Sequence, residues 1–168
     1  MTQEEFIEEL DKEWYSYEIE GDKIVITRKG NVNLNSLGKL PPGVVFKNDG
    51  YVDLHSLQTL PPGVEFKNGG SVDLYSLKTL PPGVEFKNGG NVYLSSLKTL
   101  PPGVEFKNGG SVDLYSLKTI PPGVEFKNGD GVYLDLLIGG WFQDWSGNIE
   151  GVDSKRLLNL MISKGMFI

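Results

Sequence analysis

The chain has 168 residues, 39% of them hydrophobic, with no cysteine, a single histidine and a net charge of −6. Disulfides, thiol chemistry and cysteine–histidine zinc sites are thereby excluded, and no apolar run approaches the roughly 18 residues of a membrane span. The size suits one domain, and the lack of cysteine and of an apolar leading segment predicts a reducing, cytoplasmic setting.

Residues 1–30 read as an N-terminal cap. Thr2 and Glu5 form a capping box, and Phe6, Ile7 and Leu10 make one apolar side, so a short helix is expected over residues 3–12. Residues 14–18 and 23–27 alternate in character around Glu20-Gly21-Asp22, which predicts a β-hairpin. Nine acids against one lysine give residues 1–22 a local charge of −8. Helix and hairpin together would cover an otherwise open strand edge.

From Asn31 the sequence repeats with period 20 until Asp130, and a clear copy is SVDLYSLKTLPPGVEFKNGG from Ser71 to Gly90. A unit this short cannot bury its own apolar side chains, so successive copies must stack as a solenoid. In each copy an alternating strand (Val72, Leu74, Leu77) leads through Leu80 to Pro81-Pro82-Gly83, a forced turn. Val84 and Phe86 then point inward, Glu85 and Lys87 outward, and Asn88-Gly89-Gly90 turns the chain back. Like residues should form ladders along the stack: Phe46, Phe66, Phe86, Phe106 and Phe126 inside, and Asn48, Asn68, Asn88, Asn108 and Asn128 bonding one another at the turn. The fold class expected is mainly β, a single-domain leucine-rich-repeat-like β-solenoid of five to six coils spanning residues 31–137.

Residues 138–168 read as a C-terminal cap. Trp141, Phe142 and Trp145 arrive together, and Asp153 is a suitable N-cap for a helix over residues 154–164 that turns Leu157, Leu158, Met161 and Ile162 inward and stops at Gly165.

The unit VDLYSLKTLPPGV resembles the short class of bacterial leucine-rich repeats, which carry a Leu-Pro turn after an LxLxxN strand, and it is similar to repeat proteins of gut bacteria and their phages. It departs where the motif asparagine should stand: Leu37, Leu57, Leu77, Leu97 and Leu117 occupy that position. The resemblance implies recognition of other macromolecules through the strand face.

Variation between copies points the same way. The Glu-Phe-Lys segment recurs unchanged in four copies, whereas the outward positions of the first strand differ from copy to copy: Asn31, Tyr51, Ser71, Asn91, Ser111; Asn33, Asp53, Asp73, Tyr93, Asp113; Asn35, His55, Tyr75, Ser95, Tyr115. Tyrosine, serine, asparagine and aspartate make adaptable contacts at low entropic cost. The candidate partner-binding residues are therefore Tyr51, Asp53, His55, Asp73, Tyr75, Tyr93, Asp113, Tyr115 and Tyr133. The competing account is that these tyrosines only pack along neighbouring coils as good strand formers.

The expected function is a non-enzymatic protein-binding module, in one concrete form a phage or mobile-element inhibitor of a host defence protein acting in the host cytoplasm. A self-assembling structural protein and a binder of a sugar or nucleotide are the alternatives. No nucleic acid and no membrane are expected as partners: the nine lysines of the repeats are matched by nine acids, and only Arg28 and Arg156 are arginines. No cofactor, metal site or catalytic constellation is expected.

Overall fold

The computed structural model describes residues 1–134; the sixth strand of the repeat series is the last element within them, and the expected C-terminal cap, with Trp141, Phe142, Trp145 and the helix over 154–164, lies outside the described residues. Helix α1 spans Gln3–Lys12 and begins as the sequence predicts: Glu5 N–H donates to Thr2 Oγ1 at 3.2 Å, and Thr2 N–H donates back to Glu5 Oε2 at 2.7 Å. Phe6 and Leu10 are fully buried against the first coil. An antiparallel hairpin follows, β1 (Tyr17–Glu20) and β2 (Lys23–Ile26), turning at Gly21 with φ +65°.

The remaining chain winds as a β-solenoid of about six turns with a period of 20 residues. One side is a seven-stranded sheet, here sheet A. It runs from β1 and β2 through β4 (Val44–Phe46), β6 (Glu65–Phe66), β8 (Glu85–Phe86) and β10 (Glu105–Phe106) to β12 (Glu125–Phe126). The other, sheet B, stacks β3 (Val32–Asn33), β5 (Val52–Asp53), β7 (Val72–Asp73), β9 (Val92–Tyr93), β11 (Val112–Leu114) and β13 (Val132–Leu134). Apart from the hairpin, all neighbouring strands run parallel with partners 20 residues apart, as in Phe66↔Phe86 and Val72↔Val92. A rudimentary third line of pairing joins Thr59 to Thr79 and Thr99 to Thr119.

Sheet A extends further toward the N-terminus than the repeat pattern suggests. Strand β2 pairs with β4 at the same offset, Ile24↔Val44, Val25↔Val45 and Ile26↔Phe46. The second half of the hairpin therefore adds one more rung to sheet A at the repeat spacing, while sheet B begins only at β3.

The interior is a set of ladders. The inward Val, Leu and Phe of the coils are buried, except that Leu37 of the first copy is only partly so. Successive phenylalanine rings from Phe46 to Phe126 lie with centroids 5.1–5.4 Å apart and planes within 4–6° of parallel. Planes in van der Waals contact are about 3.5–4 Å apart, so each ring is displaced sideways from the next, the arrangement favoured by the ring quadrupole.

Each coil needs its glycines for two different reasons. The glycine after the paired prolines (Gly63, Gly83, Gly103, Gly123) has φ of +76° to +81°, in the Pro-Gly pattern of a type II turn. The glycine pair after the asparagine has ordinary φ but no space: a Cβ on Gly89 would sit 2.2 Å from the Gly69 carbonyl oxygen. There the backbones of adjacent coils touch, held by bonds such as Gly89 N–H to Asn68 O at 2.8 Å.

The asparagine ladder differs from expectation. Each side chain is buried and bonds to backbone, not to its copies: Asn68 Nδ2 donates to the carbonyls of Gly50 and Gly70 at 3.0 Å and of Ser71 at 3.3 Å, and Asn48, Asn88 and Asn108 repeat the pattern. An amide with two hydrogens can serve three carbonyls that converge on it. This ties the turn of one coil to that of the coil before.

Candidate functional site

Sheet A presents a neutralised surface. Lys67, Lys87, Lys107 and Lys127 each pair with the glutamate two residues earlier in the same coil, and Lys107 and Lys127 also reach the glutamate of the preceding coil, at 3.7 Å to Glu85 and 3.4 Å to Glu105. In the first copy Val45 replaces the glutamate and is buried. Lys23 arches past it to Glu65 at 2.7 Å, so Glu65 is held by two lysines that depress its carboxyl from 4.5 to about 2. A shallow groove of about 310 Å³ runs along this side beside Glu65, Lys67, Gly83 and Lys87, away from the tyrosines.

Sheet B carries the candidate residues. Its strands are shorter than the alternation suggests, two or three residues each, because the chain turns immediately after them. Leu77 N–H donates to Leu74 O at 3.0 Å, closing a turn whose central residues are Tyr75 and Ser76. His55, Tyr75 and Tyr115 thus stand on turns at the rim of the sheet rather than within strands.

The aspartates set those turns. Asp53, Asp73 and Asp113 each accept, on Oδ1, the backbone N–H two residues on, from His55 at 3.1 Å, Tyr75 at 2.9 Å and Tyr115 at 3.2 Å. This is the Asx-turn geometry that short polar side chains offer the backbone. One oxygen of each carboxylate is therefore structural, and the other faces the neighbouring coil.

That second oxygen reveals an order within the variation. The turn residue of one coil meets the carboxylate of the next along a diagonal: Asn35 Nδ2 lies 3.4 Å from Asp53 Oδ2, His55 Nδ1 lies 3.7 Å from Asp73 Oδ2, and Ser95 Oγ donates to Asp113 Oδ2 at 2.5 Å. Where the diagonal neighbour is Tyr133 instead, the turn residue is Tyr115, and the two rings pack with centroids 6.1 Å apart. Polar donors thus precede aspartate and tyrosine precedes tyrosine. Some of the diversity is internal matching.

The first outward column is likewise engaged. Asn31 Oδ1, Ser71 Oγ and Asn91 Oδ1 each accept the backbone N–H one coil on, from Tyr51, Asn91 and Ser111 at 2.9 Å. Tyr51 donates its hydroxyl to Asp73 Oδ2 at 2.9 Å, and partial burial with this carboxylate pushes the phenol well above the usual tyrosine range. Tyr93 accepts from Asn91 Nδ2 at 2.9 Å. Tyr51, Tyr93 and Tyr133 are half-buried, whereas Tyr75 and Tyr115 are 49% and 48% exposed. The nine candidates lie on the sheet B side of the solenoid, in its strands or next to them, and the tyrosines among them differ in exposure.

Tyr15, a residue with no distinguishing mark in the sequence, closes the edge of sheet B. Its hydroxyl donates to Asn33 O at 3.1 Å and accepts from Asn33 N–H at 3.0 Å, and Arg28 covers its ring at 4.5 Å. Arg28 stands 20 residues before Asn48, so the break in the asparagine column was its only trace in the sequence.

Among the described residues no three His, Asp or Glu side chains converge as metal ligands would, and no helix is long and apolar enough to cross a membrane. The chain matches no protein-family model, no curated protein and no solved structure.

Proposed function

We propose that the protein is a non-enzymatic binding module that grips a protein partner through the outer face of sheet B. The observation that carries this reading is the presentation of Tyr75 and Tyr115: two tyrosines, each about half exposed, two coils apart, on turns locked by Asp73 and Asp113. Large amphipathic rings held on rigid backbone lose little entropy on binding. Sheet A offers a salt-bridged, repetitive surface by contrast, and exposed ion pairs of that kind contribute little. Kinship with bacterial leucine-rich repeats belongs to the same proposal, as does its narrower form: a cytoplasmic inhibitor, encoded by a phage or mobile element, that occupies a host defence protein.

Self-association is a second reading with its own observation. Among the described residues strand β1 has a partner on one side only, and Trp14, in the turn before it, is 91% exposed with φ +55°. Glu18 and Glu20 on that strand weigh against edge pairing, since charged edge residues oppose it.

Photo-cross-linking in living cells tests the choice of face. Benzoylphenylalanine placed at position 75 should yield a discrete heavier adduct, and the same group at position 87 on sheet A should not. Adducts at position 87 alone would overturn the assignment, and adducts containing only this chain would favour self-association.

A further inference from the structure

By register the exposed Tyr75 and Tyr115 stand one coil to either side of Ser95, which leaves a slot over this shorter side chain. Along the column Asn35, His55, Tyr75, Ser95, Tyr115, rings one coil apart stack directly: His55 and Tyr75 lie 5.1 Å apart and within 7° of parallel. Ser95 interrupts the column with a short, half-buried side chain. By register Tyr75 and Tyr115 are two coils apart, about 10 Å at the usual strand spacing, which is the room one more planar rung would occupy.

The slot has an acidic floor. Asp113 lies at its base, accepting from Ser95 Oγ on one oxygen and from Tyr115 N–H on the other. An ionised carboxylate has about four acceptor positions, so both oxygens retain capacity. Asp73 stands on the far side of Tyr75, within 3.7 Å of His55 Nδ1. Every glutamate in the sheet A column is paired with lysine, whereas among the described residues no lysine or arginine pairs with Asp53, Asp73 or Asp113. Carboxylates without a lysine or arginine partner among the described residues therefore stand beside stacked aromatic rings.

Resting on the proposed protein-binding role, we infer that the slot over Ser95 takes the guanidinium of an arginine side chain from the partner, stacked between Tyr75 and Tyr115 and hydrogen-bonded to Asp113. Guanidinium is a planar cation at every working pH, so it can both complete the ladder and answer the carboxylate, which imidazole does only when protonated. A lysine ammonium satisfies only the charge, and a neutral aromatic ring only the shape.

The test uses the intact chain and Nα-acetyl-arginine methylamide, followed by NMR at the Tyr75 and Tyr115 rings and the Ser95 amide. Saturable shifts are expected, with affinity roughly tenfold above that of the equally blocked lysine and phenylalanine. Ser95→Tyr should abolish the response by filling the slot. Asp113→Asn, which preserves shape, should weaken it roughly tenfold. Equal responses to the three probes, or an arginine response unchanged in both variants, would overturn the inference. Cross-linking at position 75 without any arginine response would overturn the slot alone and leave the proposed function standing.

Discussion

At the residue scale, the two glycine roles separate cleanly. Gly83 has φ +76° and open space around it, so Gly83→Ala meets only the left-handed backbone penalty, about 1–2 kcal/mol. Gly89 has no such φ, yet its added Cβ would press on the Gly69 carbonyl oxygen at 2.2 Å. Gly89→Ala must push adjacent coils away from each other, and the expected loss is about 4 kcal/mol or more, the range of core disruption. Urea denaturation of the two variants checks the order, and a milder effect at Gly89 would contradict it. From the sequence alone the two glycines look alike, because each follows a turn signal. Only the stacking distance tells them apart.

At the element scale, the N-terminal cap closes each sheet differently. Sheet A is extended by the hairpin, and sheet B ends on one phenol. Tyr15→Phe would leave Asn33 N–H and C=O without that partner and should cost about 1–2 kcal/mol, read by urea denaturation. The junction between cap and first full repeat also has an acid signature. Glu65 has its carboxyl depressed in the folded state from 4.5 to about 2, so on acidification the unfolded chain takes up this proton first. Its contribution is fully present above pH 4.5, declines as the pH falls, and is gone once the pH has passed about 2. Glu65→Gln should therefore lower stability at neutral pH by about 1 kcal/mol, with the difference from the parent closing toward pH 2. A constant difference across that range would show that the Lys23 and Lys67 pairings are energetically silent.

At the scale of the whole molecule, the period of 20 dictated most of the architecture. Inward Val72, Leu74 and Phe86, the Pro-Gly turns and the helix from its capping box were legible because each follows from local chemistry. The reach of sheet A back to Ile24 was written in the same spacing but disguised by weaker identity, since Ile24 and Ile26 stand for Val44 and Phe46. Pairings between coils were not legible. Nothing local to Tyr15 indicates Asn33, and the diagonal match of Ser95 with Asp113 appears only when the coils are laid side by side. Within that matching Tyr75 and Tyr115 still expose about half of their surface, and the proposed recognition rests foremost on them. Because a solenoid's stability sums over neighbouring units, deleting residues 71–90 should leave a folded, shorter stack with a smaller urea m-value, while removing Tyr75. Deleting only residues 71–80 should break the register and the fold.

The central claim is that sheet B recognises a protein through these tyrosines. The measurement that tests it most directly is affinity capture from bacterial lysate with the parent chain beside a Tyr75→Ser, Tyr115→Ser double variant of unchanged circular dichroism, followed by calorimetry with the purified catch. The account predicts one protein retained by the parent and lost, or bound at least roughly a hundredfold more weakly, by the variant. Equal binding by both chains would contradict it and move recognition to another face.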